Sequence, residues 1–185
     1  MLRKFKESAL AHKYLDGLKG VEIGGAAHNP FGLDTINVDI LPESVYQQKQ
    51  IEIGLEPMKI DVVASGDDLP FDDKSYDFVI SSHVIEHFYD PIKALLEWQR
   101  VAKKYIFIIC PHKERMFDRD KAATTLNELI KRHKTPIIQT NFAHQSYWHE
   151  IAFLMLCDHI GFKNTKVWPV DDKVGNGFTV VIKLD

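Results

Sequence analysis

Ser75-Tyr76-Asp77-Phe78-Val79-Ile80-Ser81-Ser82-His83-Val84-Ile85-Glu86-His87, preceded by Asp68-Leu69-Pro70-Phe71, is the stretch on which the fold turns. From Tyr76 to Ser81, β-branched and aromatic residues bounded by polar ones read as a buried strand. It runs straight into the small, polar Ser81-Ser82-His83. Asp90-Pro91 then marks a helix start, with a side-chain acceptor at the N-cap and a proline where its missing N–H costs nothing. Ile92, Leu95, Leu96 and Val101 give that helix one broad apolar face. Tyr105 to Cys110 is a continuous apolar run, as expected of a strand covered on both sides.

Outward from this strand–helix–strand unit the pattern repeats. Residues 7–18 predict a helix within an N-terminal element of residues 1–19. Val21 to Ile23 predicts a short buried strand running into Gly24-Gly25-Ala26-Ala27, and Thr35 to Asp39 and Lys59 to Val63 predict two more. Residues 121–133 read as a helix, and Trp148, Ile151 and Met155 as an apolar stripe closed by Gly161. Two last strands, about 163–169 and 177–184, flank the turn-like Asp171 to Gly177. The expectation is an α/β fold: a doubly wound, mostly parallel seven-stranded sheet whose last strand is antiparallel. Only about eleven residues separate the first two strands, barely enough for a parallel crossover, so a single turn or loop replaces the helix there.

The chain has 185 residues, 45% hydrophobic and 26% charged, which suits one domain over residues 1–185 and excludes disorder. Such a chain buries roughly 70% of its unfolded surface and needs no staple. Its longest apolar runs, Ile151 to Cys157 and Tyr105 to Cys110, fall far short of the ~20 residues a bilayer needs. No membrane span is expected. The basic start, Met1 to Lys6, leads into no apolar stretch, so no signal peptide is expected either. Cys110 and Cys157 sit in apolar runs and read as buried reduced thiols, which fits a cytoplasmic address. A net charge of −3 speaks against a nucleic-acid partner.

Ligands of open parallel sheets bind outside the carboxyl ends of the strands. Gly24 and Gly25 follow the first strand and let a ligand approach backbone closely. Asp39 ends the second and can accept two hydrogen bonds from a ribose diol. Ser65-Gly66-Asp67-Asp68 follows the third, where an adenine edge could be read. Ser81-Ser82-His83 follows the fourth and Pro111-His112-Lys113 the fifth. Each feature alone has a plainer reading, as a turn, a surface carboxylate or a helix cap; their order and spacing together suit a nucleoside-like ligand.

These residues resemble the class I S-adenosylmethionine-dependent methyltransferases, in the small-molecule branch. Val21-Glu22-Ile23-Gly24-Gly25-Ala26 is similar to that family's first glycine motif, and Asn37-Val38-Asp39 to its ribose-binding strand end. Asp68 to His87 is the closest match. The glycine motif departs from G-x-G, and Ser65 stands where the family often has an acid for the adenine amine. His28-Asn29-Pro30, Pro111-His112-Lys113 and Met116-Phe117-Asp118 resemble a sub-group found near surface-glycan genes.

The resemblance implies S-adenosylmethionine as cofactor and methyl transfer to a hydroxyl or amine of a small-molecule acceptor, with a sugar or nucleotide-sugar the first candidate. Glu22, Gly24 and Gly25 would hold the amino-acid end, Asp39 the ribose and Ser65, Gly66 and Asp67 the adenine. Ser82 and His83 would lie beneath the methionine. His112 is the first candidate base and His83 the second, with His144 and His149 behind them. Residues 112–150 are expected to cover the acceptor, with Tyr147 and Trp148 as candidate lining. Three further histidines, His12, His133 and His159, are expected to be solvated on surface helices.

A dinucleotide is disfavoured, because a pyrophosphate wants G-x-G-x-x-G opening onto a helix N-terminus. His83-Val84-Ile85-Glu86-His87 also matches H-x-x-E-H, a zinc-ligand pattern of metallohydrolases. No third ligand besides Glu150 is obvious from the sequence, and no metal is expected. A non-catalytic cofactor-binding partner subunit is the other alternative, and the sequence leaves the oligomeric state open.

Overall fold

The computed structural model describes residues 6–25, 31–52, 54, 58–141 and 143–185. His28-Asn29-Pro30 and Ala26-Ala27 lie outside the described residues, as does the chain start. Seven strands form one sheet in the order β3-β2-β1-β4-β5-β7-β6. They are β1 (Lys19–Ile23), β2 (Asp34–Asp39), β3 (Val62–Val63), β4 (Tyr76–Ser82), β5 (Ala102–Pro111), β6 (Asn164–Trp168) and β7 (Gly177–Lys183). Pairing is parallel except for β7, which runs antiparallel to both β5 and β6. The fold is the expected doubly wound one, and the strand order reverses direction between β1 and β4.

Strand periodicity of two divides the interior into two cores. Val21, Ile23, Val79, Ile106 and Ile108 face one side of the sheet, where Leu95, Trp98 and Phe153 cover them. Phe78, Ile80, Phe107 and Ile109 face the other, under Ala11 and Leu15 of α1 (Ala9–Leu15) and Phe31. Ile106 to Cys110 is wholly buried, as its unbroken apolar run requires. Cys110 and Cys157 are buried free thiols. No helix among the described residues is long and apolar enough to cross a membrane.

Helix α3 (Pro91–Val101) starts as its sequence dictates: Asp90 accepts from the Lys93 N–H at 3.0 Å, with Pro91 in the first turn. Leu96 proves partly exposed, and Trp98 completes the inner face instead. The polar helix α2 (Glu43–Glu52) was not foreseen; its sequence carries no clear apolar stripe to announce it.

Two helices differ from expectation. Helix α4 (Leu126–Lys134) starts later than residue 121, because the Thr125 hydroxyl caps it by accepting from the Glu128 N–H at 3.2 Å. In α5 (Glu150–Ile160), Ile151 and Met155 point outward and are 73% and 53% exposed. The buried face consists of Phe153, Leu156 and Cys157, while Trp148 packs in the core just before the helix. Gly161 ends it as predicted, with φ 98°. The turn at 171–177 is drawn around Asp171, whose carboxylate accepts from the N–H groups of Lys173, Val174, Gly175 and Gly177.

Candidate active site

The carboxyl ends of β1, β2, β3 and β4 enclose a cavity of about 740 Å³, within the size range of small-molecule and cofactor sites. Ile23, Gly24, Asp39, Ser65, Gly66 and His83 are among its lining residues. Gly24 lies at φ 72°, and its N–H donates to the Val38 carbonyl at 2.8 Å. A Cβ there would sit 2.4 Å from Val84 Cγ2, so only glycine lets β1 turn beneath the segment after β4. Gly66 is equally confined, since a Cβ would lie 2.7 Å from Ile23 Cγ2 and 2.9 Å from Phe88 Cζ.

Asp39 ends β2 at the rim, where one carboxylate oxygen accepts from the Ile40 N–H at 2.8 Å. Ser65 donates to Asp67 at 2.5 Å, and the other Asp67 oxygen meets Lys93 Nζ at 3.0 Å. The Ser65–Asp67 turn is therefore pinned to α3. One further part of the wall comes from far along the chain. Pro136, Ile137 and Gln139 reach over the opening. Gln139 accepts from the Tyr89 N–H at 2.9 Å and donates to the His87 carbonyl at 2.5 Å, clamping this segment down. Nothing in the local sequence signals Gln139.

His83 has a left-handed φ of 56°, a conformation that costs a non-glycine residue energy and is common at functional sites. It lines this cavity and also a smaller one of about 170 Å³. Ser82, Gly25 and Glu22 are not among the residues lining the large cavity. Glu22 lies nearly buried on the other side of the Gly24–Gly25 turn, beside Thr35. Burial pushes its carboxyl up to about 7, against the pull of the Lys173 ammonium.

His112 does not occupy the position expected of it. It lines neither cavity. Its Nδ1 accepts from the Glu114 N–H at 3.2 Å, which leaves the proton on Nε2, 3.3 Å from Glu150. The lone pair a base requires is already used. Glu150, the one candidate third ligand for the H-x-x-E-H segment in the sequence, is thus engaged elsewhere. His149 lies beside His112, and Tyr147 donates to the His144 carbonyl at 3.0 Å. His12 and His133 are not simply solvated: His12 bonds Asp16 and the Phe31 carbonyl, and His133 meets Asp90 at 2.8 Å.

His83-x-x-Glu86-His87 forms a 3-10 turn at Ile85–His87 rather than one face of an α-helix. Glu86 is fully buried, and burial pushes its carboxyl up to about 8.

A cavity at the switch point, with a glycine turn, a strand-end carboxylate and a polar loop around it, is where class I methyltransferases hold S-adenosylmethionine. Residues 20–110 match the family model described as a methyltransferase domain. Similar solved structures include an S-adenosylmethionine-dependent methyltransferase of Thermotoga maritima, 20% identical, TM-score 0.58, covering 94% of this chain and 86% of that one. Another, from Aquifex aeolicus, is 18% identical, TM-score 0.51, covering 92% and 84%. An uncharacterised protein of Methanocaldococcus jannaschii is 29% identical over 153 residues, 80% of this chain. The chain spans 66% of that relative's length. Residues 20–110 are thus similar to a methyltransferase domain, and the chain has the fold of these methyltransferase structures.

The large cavity fits that cofactor. S-adenosylmethionine has no phosphate, so it does not need the run of helix N-terminal N–H groups that a pyrophosphate wants. Gly24 and Gly66 let the strand ends pack closely against Val84, Ile23 and Phe88 around the cavity.

Proposed function

We propose that the chain transfers a methyl group from S-adenosylmethionine to a hydroxyl or amine of a small molecule, with carbohydrates the first acceptor class to test. The carrying observation is the 740 Å³ cavity with Gly24, Asp39, Ser65 and Gly66 on its walls. Bound there, the cofactor supplies a methyl group already activated on a sulfonium.

The chain's own contribution is placement and proton removal. Asp39 accepts from the ribose diol. Ser65, Gly66 and Asp67 border the adenine, held in place by Lys93 and Trp98. Gly24 and Gly25 give the amino-acid end its approach, and Glu22 stiffens the turn from behind. The segment around Gln139 excludes water and helps hold the acceptor about 3–3.5 Å from the methyl. His83, which shares the cavity wall with His87, takes the proton of a hydroxyl acceptor.

A thermal-shift comparison of S-adenosylhomocysteine with NAD tests the reading, since a ligand selective for the folded state raises its stability. Stabilisation by S-adenosylhomocysteine alone supports it; stabilisation by NAD alone rejects it.

A further inference from the structure

The smaller cavity, about 170 Å³, adjoins the larger through His83 and His87, which line both. Its wall brings the adjacent Glu86 and His87 together with His144 from far along the chain. Glu86 Oε1 lies 3.8 Å from His87 Nε2 and 3.8 Å from His144 Nε2. One ligand atom from each of the three falls within 4.8 Å of the others. We propose that Glu86, His87 and His144 hold a divalent transition-metal ion at the border of the methyl-transfer cavity.

Three observations carry this. First, Glu86 is fully buried, yet neither carboxylate oxygen has a hydrogen-bond partner. A buried carboxyl in that condition stays protonated unless a cation meets it and takes the proton's place. Second, His144 is oriented as metal ligands are. Its Nδ1 lies 2.6 Å from the buried Asp118 carboxylate, which fixes the proton on Nδ1 and turns the Nε2 lone pair toward Glu86. Third, the backbone holds the set together. The Glu86 carbonyl accepts from the N–H groups of Gln145 at 2.7 Å and Ser146 at 3.2 Å, carrying His144 onto the 3-10 turn.

Two histidines and one glutamate form a known open set for zinc, leaving a position for water or substrate. Bonds of about 2.0–2.1 Å would draw tetrahedral donors to about 3.4 Å apart; each histidine nitrogen stands a few tenths of an ångström beyond that from Glu86, and all three donors lie within 4.8 Å of one another. The sequence hides the set, because His144 is 57 residues beyond His87 and only the fold brings them together. His83, Met116 and Asn176 border the rest of the cavity. Resting on the methyl-transfer reading, the ion favours acceptors with a hydroxyl over amines, since a Lewis acid lowers the pKa of a hydroxyl bound to it.

The test uses the full chain, stripped with a chelator and titrated with Zn²⁺ and with Co²⁺. Binding of one ion per chain, a visible Co²⁺ spectrum of mixed nitrogen and oxygen ligands, and loss of both in His144→Ala are expected. Asp118→Asn should weaken Zn²⁺ binding about 10–100-fold while the circular dichroism stays that of the wild type. It decides the matter if His144→Ala fails to fold. A folded wild type that takes up no stoichiometric ion, or Zn²⁺ binding unchanged in these variants, overturns the site. S-adenosylhomocysteine affinity is measured separately. Its absence alongside intact Zn²⁺ binding would reject the methyl-transfer reading and leave the metal site standing.

Discussion

Trp98 Nε1 donates a 2.8 Å hydrogen bond to the carbonyl of Gly66, so the largest side chain of α3 also fixes the loop assigned to the adenine. Core packing and ligand placement are joined at that bond. Trp98→Phe keeps much of the apolar bulk but leaves the Gly66 carbonyl without its donor. The expected cost is about 1–2 kcal/mol in urea denaturation, with S-adenosylhomocysteine bound several-fold more weakly. Wild-type affinity in this variant would show that the loop holds its shape unaided.

Glu22 makes stability depend on pH. Its carboxyl is raised from 4.5 to about 7 by burial, so between these values the folded chain keeps a proton that the unfolded chain has released. By linkage, stability then falls as pH rises through that window. The loss attributable to Glu22 approaches about 3 kcal/mol. Glu22→Gln stays uncharged and should flatten this part of the profile, measured by urea denaturation from about pH 4 to about pH 8. An identical slope in wild type and variant would place the titration elsewhere.

His112 ties the end of β5 to the start of α5 through Glu114 and Glu150. Desolvation lowers its pKa, in keeping with a neutral ring that donates from Nε2. His112→Ala should lower stability by about 1–3 kcal/mol and leave S-adenosylhomocysteine affinity unchanged. Unaltered stability would mean that these bonds hold nothing and that the imidazole is free for another task.

Much of this architecture was legible because the relevant signals are local. The apolar run at Tyr105–Cys110, the Asp90-Pro91 cap and Gly161 each specify their own backbone, and the structure follows them. Strand-end residues Gly24, Asp39, Ser65 and Gly66 were legible for a related reason: in a parallel sheet, a position after a strand is a position at the site. What could not be read depends on distant partners. His112 looked like a base from its place after β5, but Glu150 and the Glu114 amide take its nitrogens. Ile151 and Met155 share a helical face, yet which face is buried was decided by Phe153 and Leu156 packing on the sheet side. Gln139 and His144 come from a stretch without periodicity, so nothing local marks their return to the 83–89 segment.

Calorimetric titration of S-adenosylhomocysteine into the wild type and Asp39→Ala puts the cofactor cradle to its most direct test. One site per chain is expected in the wild type. In Asp39→Ala, with circular dichroism unchanged, affinity should fall at least about 10-fold, the equivalent of one lost hydrogen bond to a charged acceptor. A folded wild type that gives no binding heat at any temperature tried, or equal affinity in the two proteins, would contradict the account.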